Sequence, residues 1–193
     1  MNWVDRLVEA TAWDAMPGDL DWFTIESTLG TPLPVDFKEL RRRFASWGAF
    51  SDHAYILTAN GGTESILSNH ESLLRSVRGN PDNRVMFEPF GLFGVGAEAQ
   101  RGSLLEAGPL IAERRQAGLL QWGYSLIEEE YYWLVDTEAD PSEWPVVARK
   151  DSSEPFKRFD MTASEFIYRV LTESEFRPFG VASKISPPYY QAY

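Results

Sequence analysis

Apolar residues recur at helical spacing through the first third of the chain. The first predicted helix carries five of them on one face: Trp3, Val4, Leu7, Val8 and Ala12. A second short helix is predicted from Asp19, as its N-cap, to a left-handed Gly30, and a third helix begins at about Pro34. The N-terminal third is therefore predicted to be helical.

The middle of the chain mixes two periods. Residues 54–57 are typical of a short strand, and a strong helical stripe follows over residues 63–78. Residues 79–118 show the weakest pattern. There we predict a strand at residues 85–87 and a short polar helix that ends near Arg114 and Arg115.

From Leu119 the pattern changes to that of a sheet. Three β-branched and aromatic runs predict strands at residues 119–122, 131–135 and 144–148. The middle run is apolar on both faces, which indicates a central strand. The capping box Thr162-Ala163-Ser164-Glu165 predicts a final helix. Helices, then strands, then a helix predict one α+β domain over residues 1–175, followed by a Pro- and aromatic-rich tail over residues 176–193.

Charge narrows the range of partners. The net charge is −11. Residues 7–37 hold six acids and no Lys or Arg, and residues 116–148 hold seven acids and again no base. We call these stretches the first and second acidic windows. The negative electrostatic field of these acids repels nucleic acid and attracts basic proteins. The alternative is that the acids only keep the domain soluble.

Composition also bears on the cellular compartment in which the protein is expected. Cysteine is absent, which excludes disulfides, thiolate metal sites and cysteine nucleophiles. No apolar run approaches the ~20 residues of a membrane span. The N-terminal residues lack the pattern of a signal peptide. We therefore expect a cytoplasmic protein without a membrane partner.

Motifs for catalysis and cofactor binding are weak. Residues 94–99 match a relaxed dinucleotide fingerprint, but no amphipathic helix follows them. Residues 123–127 begin like a nucleophile elbow and lack its closing Gly. His53 and His70 have no sequence neighbours typical of a triad or a metal site, so we expect each to be solvated or satisfied. We predict no catalytic, cofactor-binding or metal-binding residue.

Three consecutive acids, Glu128, Glu129 and Glu130, are open to more than one interpretation. They resemble a catalytic carboxylate cluster or a cation site. They are also typical of a solvated turn, because alternate side chains of an extended segment point to opposite faces. General acid–base catalysis needs two carboxylates that converge in one environment, which this pattern does not predict. The solvated turn is favoured.

Four motifs follow one another in a fixed order along the chain. They occupy residues 22–38, the Trp-Gly motif at residues 118–123, residues 132–133 with 140–147, and the closing helix at residues 159–167. Together they resemble the Smi/Knr family of yeast cell-wall regulators, part of the SUKH superfamily, over residues 19–171. The resemblance implies an α+β domain whose central, mainly antiparallel sheet is flanked by helices.

The chain departs from this family pattern at two turns. The family usually has a Gly-x-Gly turn after its third helix, where residues 46–50 here read Ser-Trp-Gly-Ala-Phe. Members also tend to carry a Gly between the Trp-Gly motif and the next Trp, whereas residues 126–130 contain none. The second departure indicates a connection reshaped for a particular partner.

The resemblance implies a non-catalytic, protein-binding role. Many bacterial relatives are taken to be immunity proteins that neutralise toxin domains, often nucleases, of polymorphic toxin systems. Our leading hypothesis is therefore an immunity protein that binds a basic toxin domain stoichiometrically through an acidic surface. One alternative is a regulatory or scaffolding module with a cellular partner. A less favoured alternative is an enzyme that uses carboxylates of the second acidic window.

The candidate partner-binding residues lie in the second acidic window. They are Glu128, Glu129, Glu130, Asp136, Glu138, Asp140 and Trp144. Trp122 and Trp133 are expected in the core, whereas Trp144 suits the core and the interface about equally well. An acidic interface would be broadest if the two acidic windows formed one face.

Overall fold

One antiparallel sheet organises the fold. The computed structural model describes residues 2–14, 20–45, 47–59, 64–94, 117–179 and 186–193. Within them the strands are β1 (Gly48–Phe50), β2 (Ala54–Ile56), β3 (Ala117–Ser125), β4 (Glu130–Asp136), β5 (Val146–Arg149), β6 (Lys157–Phe159) and β7 (Tyr190–Ala192). They lie in the order β6-β5-β4-β3-β2-β1-β7, and each neighbouring pair is antiparallel.

Helices flank this sheet. They are α1 (Trp3–Thr11), α2 (Trp22–Leu29), α3 (Val35–Arg43), α4 (Ile66–Gly79) and α5 (Ala163–Thr172), with short 3-10 helices at Pro81–Phe87 and Pro141–Glu143. The arrangement confirms the predicted α+β class with a sheet flanked by helices. Among the described helices, none is long and apolar enough to cross a bilayer.

The two faces of β4 bury different clusters. Tyr131, Trp133 and Val135 belong to the main core together with residues of α1, α2, α3 and α5. Tyr132 belongs to a smaller cluster, against which residues of α4 and the first 3-10 helix pack. Because both faces are covered, the apolar run at residues 131–135 is a central strand, as predicted.

Aromatic rings fill the main core. The ring centroids of Trp122 and Trp133 lie 6.0 Å apart, and Phe37 of α3 meets Trp133 edge-on at 4.7 Å. Phe166 of α5 meets Trp122 edge-on at 6.2 Å. Edge-to-face pairs of this kind add roughly 0.5–1.5 kcal/mol beyond the area they bury. These ring contacts hold α3 and α5 against β3 and β4.

Two predicted elements differ in the structure. The predicted strand at residues 85–87 is wrong, because these residues end a 3-10 helix that starts at Pro81. The Asn80 side chain accepts the Asp82 N–H and Pro81 fixes its own φ, which favours a turn of helix over a strand. The second helix begins at Trp22 with Asp21 as its cap. The predicted cap, Asp19, and the polar helix near Arg114 lie outside the described residues.

The C-terminal segment is part of the sheet. Residues 190–192 form β7, which pairs with β1 at the edge of the sheet. The ring of Phe176 packs against Phe159 and Phe166, and Tyr190 is a core residue. The described part of residues 176–193 therefore lies against the domain, because Phe176 and Tyr190 pack in or on the core.

His70 is a buried base on α4. Its Nε2 lies 2.6 Å from the carbonyl oxygen of Phe93, so Nε2 carries the donated proton. The pKa of His70 is lowered from 6.5 to about 4, mainly by burial and to a smaller extent by the charge of Arg78, while the hydrogen bond to the Phe93 carbonyl opposes the shift. The imidazole is therefore neutral at pH 7. The expectation that His70 is satisfied holds for Nε2, whereas Nδ1 has no hydrogen-bond partner among the described residues.

We expect Trp122→Ala and Trp133→Ala each to lower the free energy of unfolding by about 3–5 kcal/mol, because each leaves a cavity in the aromatic core. Denaturant unfolding followed by circular dichroism measures this change. Phe23→Ala is the control, since Phe23 is 80% exposed; its effect should stay within about 0.5 kcal/mol. A tryptophan variant that unfolds like the unmodified chain would contradict the core assignment.

We expect the unfolding free energy to fall by about 3 kcal/mol between pH 7 and pH 4 through His70 alone. The unfolded chain takes up the proton at about pH 6.5 and the folded chain only at about pH 4, so stability is lost as pH falls through this window. Urea unfolding at several pH values measures the slope. His70→Gln keeps an N–H donor and cannot titrate, so its slope should be flatter; an unchanged slope would contradict the assignment.

Candidate functional site

The turn between β3 and β4 carries the three consecutive acids in three different environments. Glu128 is exposed, Glu129 is buried and Glu130 is half-buried. The expectation of a solvated turn is therefore wrong for Glu129. Residues 128–130 point in different directions because the chain re-enters a strand at Glu130, and alternate side chains then face opposite sides.

Glu129 is the acceptor at the centre of a buried network. Its Oε2 accepts the Tyr131 hydroxyl at 2.5 Å and lies 3.1 Å from Nε2 of His53. The Glu129 backbone N–H donates to Oγ of Ser125 at 3.1 Å. Burial raises the pKa of Tyr131 well above its usual value, and the Glu129 carboxylate raises it further. The hydroxyl therefore stays protonated and donates to the carboxylate.

Of the two outcomes expected for His53, solvated or satisfied, the structure shows the second. His53 lies in the turn between β1 and β2, is buried, and reaches Glu129 across 76 residues of sequence. Its sequence neighbours therefore do not reveal its carboxylate partner. Tyr131 carried the only local signal, because it stands two residues after Glu129 on the same side of the strand.

Glu130 belongs to a second polar group on the opposite side of β4. Its Oε2 accepts from Nε of Arg149 at 2.5 Å and from the Tyr132 hydroxyl at 3.0 Å. Arg149 is buried, and its guanidinium also donates to the carbonyl of Met86 and lies 4.5 Å from the ring centroid of Phe156. Glu130 is therefore held as the counter-ion of a buried arginine.

Two neighbouring turns concentrate uncommon backbone conformations. Ser51, Asp52 and Glu128 all have φ between 51° and 70° without being glycine. The turns touch, since the Leu126 N–H donates to the carbonyl of His53 at 3.0 Å. We call residues 51–53 and 126–128 together the hairpin end. Non-glycine residues held in this region are uncommon and occur at functional sites more often than elsewhere.

Exposed apolar side chains sit on the hairpin end. Leu126 is 66% exposed and Ile127 is 41% exposed, next to the exposed carboxylate of Glu128. The exposed Asp52 lies on the adjoining turn. Neither Leu126 nor Ile127 is among the candidate residues predicted from the sequence. Their only signal was an apolar pair inside a turn that otherwise carries acids.

The other candidate residues lie at the far end of β4. Asp136 accepts the Glu138 backbone N–H through its carboxylate, and its carbonyl accepts the indole N–H of Trp144 at 2.9 Å. Trp144 is buried, which places it in the core rather than on an exposed surface. Asp140 caps the second 3-10 helix by accepting the Ser142 N–H, while Asp140 and Glu138 are exposed.

The second acidic window is divided between these two ends. β4 has seven residues, and at about 3.3 Å per residue it spans roughly 20 Å. This length exceeds the screening length of about 8 Å at physiological ionic strength. The second 3-10 helix packs against α3, which begins inside the first acidic window. Among the described residues, the two acidic windows thus approach each other at the end of β4 that is remote from Glu128.

The weak motifs for catalysis and cofactor binding fall in different parts of the chain. Ser125, from the elbow-like motif at residues 123–127, is buried, and its Oγ accepts backbone N–H groups of Ile127 and Glu129. Among these residues no cluster of His, Asp and Glu has the arrangement of a metal site. Most of the dinucleotide-like motif, residues 95–99, lies outside the described part of the chain.

We expect Glu128 and Glu129 to respond oppositely to substitution. Glu128→Gly should stabilise the fold by up to about 1 kcal/mol, because glycine adopts the left-handed conformation at lower cost. Glu129→Ala should destabilise it by about 3 kcal/mol, because two buried donors lose their acceptor at about 1–3 kcal/mol each. Urea unfolding at pH 7 measures both. Equal effects of the two changes would contradict the division between exposed turn and buried network.

Comparison of the chain with models of known protein families, with curated proteins and with solved structures found no match. The resemblance to the Smi/Knr family thus stays a prediction based on the order of motifs.

Proposed function

We propose that this chain is a non-catalytic protein-binding domain, an immunity protein that neutralises a basic toxin domain by stoichiometric binding at the hairpin end. The observation that carries the proposal is the pair of exposed apolar side chains, Leu126 and Ile127, beside the exposed carboxylate of Glu128. Apolar contacts surrounded by charged groups are typical of protein–protein interfaces.

The backbone at Glu128 supports a role in binding. Its φ of 70° is one that glycine adopts at lower cost, and the resembled family tends to have a Gly in this connection. Glycine at position 128 would therefore give a more stable fold than glutamate does. A contact made by Glu128 with a partner accounts for its presence there.

Hydrogen bonds beneath the surface hold the two turns of the hairpin end together. Glu129 and His53 join the two turns through their buried contact, and the Leu126–His53 backbone hydrogen bond joins them again. A surface that is ordered before binding loses less conformational entropy when the partner arrives. The buried network thus supports binding without itself touching the partner.

Charge supports a basic partner. The chain carries a net charge of −11, and the hairpin end presents Glu128 and Asp52. A field of this sign accelerates the encounter with a cationic protein and repels nucleic acid. Bound to a nuclease-type toxin, the domain would cover the cationic surface that holds the nucleic acid. The cysteine-free composition suits a reducing compartment, and we place the complex in the cytoplasm.

The partner can be captured from the source cell with the tagged chain and identified by mass spectrometry. We expect a basic toxin domain that forms a 1:1 complex, measured by isothermal titration calorimetry, and whose toxicity disappears when the two proteins are co-expressed. A partner without toxicity would favour the regulatory or scaffolding alternative. Turnover by the purified chain that a single carboxylate substitution abolishes would favour the enzyme alternative.

We expect Glu128→Lys to lower the association rate with this partner by about tenfold or more at low salt, and Leu126→Ser to raise the dissociation rate. Stopped-flow kinetics at increasing salt measure both rates. Neither change should lower the melting temperature appreciably, because both side chains are exposed.

Glu143→Lys provides the control for these rates. It makes the same change of charge at an exposed position near the far end of β4, so its effect on association should be smaller. If Glu143→Lys slows association as much as Glu128→Lys, the interface does not lie at the hairpin end.

A further inference from the structure

Four aromatic rings follow one another across the end of the sheet that contains β7, β1, β2 and β3. Tyr193 lies 5.1 Å from Trp47, Trp47 lies 5.6 Å from Tyr55, and Tyr55 stacks on Tyr124 at 5.2 Å with only 7° between the ring planes. We call these four residues the aromatic ladder. Tyr55 and Tyr124 are register partners on neighbouring strands, and the Tyr193 N–H donates to the Trp47 carbonyl.

The aromatic ladder is only partly covered. Tyr193 at its end is 58% exposed, and the other three rings are half-buried. The ring of Tyr193 has Trp47 on one side, where the ring planes are tilted by 46°. Tyrosine and tryptophan dominate the binding energy of many protein interfaces, because each offers a large, rigid contact area.

Carboxylates stand at both ends of the ladder. Asp52 accepts the Tyr189 hydroxyl and interacts with the Tyr193 hydroxyl, while Glu64 accepts the Tyr124 hydroxyl at 2.9 Å. The hydrogen bond to Asp52 raises the pKa of Tyr189 to about 12. Burial, and then the contact with Glu64, raise the pKa of Tyr124. The tyrosine hydroxyls therefore stay protonated at pH 7 and donate to these carboxylates.

Several aromatic rings elsewhere in the described structure carry a cation from the chain itself. Arg6 lies 4.4 Å from the ring centroid of Trp3, Arg149 lies 4.5 Å from Phe156, and Lys157 lies 4.9 Å from Phe179. Over the aromatic ladder, no Arg or Lys of the described residues occupies such a position. A ring surface flanked by carboxylates favours a cation, which a partner can supply.

We propose that the aromatic ladder is a docking surface for an arginine side chain of a basic protein partner, whose guanidinium stacks on Tyr193 and pairs with Asp52. Arginine fits better than lysine, because its planar group stacks on a ring and offers several donors to one carboxylate. Asp52 also belongs to the hairpin end, so the ladder continues the proposed interface. The inference rests on the proposed function in that it names the chemistry of the partner's contact.

Peptides test this surface without the natural partner. The full chain is titrated with acetylated and amidated Gly-Arg-Gly, with the same peptide containing lysine, and with the same peptide containing neutral citrulline. The indole N–H signal of Trp47, assigned by its loss in Trp47→Phe, reports binding in NMR spectra. We expect saturable shifts with the arginine peptide, weaker binding of the lysine peptide, and no saturable shift with the citrulline peptide.

Two variants of the chain remove the proposed contacts. Tyr193→Leu removes the exposed ring, and Asp52→Asn removes the charge while keeping a residue that tolerates the left-handed backbone. Each should weaken binding of the arginine peptide by roughly two- to fivefold. Asp140→Asn is the matched control, since it removes an exposed carboxylate at the far end of β4, and it should leave the affinity unchanged.

Three outcomes would overturn the inference. They are equal binding of the citrulline peptide, no shift of the Trp47 signal with the arginine peptide, and equal weakening by Asp140→Asn and Asp52→Asn. Failure of the proposed function is a separate result. If the arginine peptide binds as expected and the captured partner is not a toxin, the docking surface stands and the immunity role falls. If a toxin is captured and the peptide does not bind, the reverse holds.

Discussion

The pairing of β3 with β4 is the contact on which the remaining structure depends. On one side of this pair, Trp122 and Trp133 lie side by side in the core. Phe37 of α3 packs on Trp133, and Phe166 of α5 packs on Trp122. On the other side, Tyr132 meets the cluster beneath α4. The turn that joins the two strands carries the hairpin end. Packing in the core therefore fixes the position of the surface on which we place binding.

A buried polar network connects the sheet to that surface. Glu129 is buried and accepts hydrogen bonds from Tyr131 of β4 and from His53 in the turn between β1 and β2. The contact with His53 fixes the turn between β3 and β4 against the turn between β1 and β2. A buried carboxylate is tolerated only where such partners surround it. The network thus helps to hold the uncommon backbone conformations at Asp52 and Glu128.

Acidic residues of this chain perform several different tasks. Asp21 and Asp140 cap helices, Glu129 accepts buried hydrogen bonds, and Glu130 balances a buried arginine. Glu128 is the exposed member of the three consecutive acids, on a turn with exposed apolar neighbours. A count of charges along the sequence treats these residues alike, although burial and local hydrogen bonds decide which of them a partner can reach. The length of β4 also places Glu128 and Asp140 at opposite ends of the strand.

The sequence by itself determined the class of fold, the central position of residues 131–135 and the capping of α5 by Thr162, because periodicity and capping are local properties. It could not determine that residues 81–87 form a 3-10 helix, since the apolar run there also suits a strand. Only the tertiary structure brought His53 to Glu129, buried Trp144, added β7 to the sheet and brought the four rings of the aromatic ladder together. These features depend on contacts between residues far apart in the chain, which a local pattern does not encode.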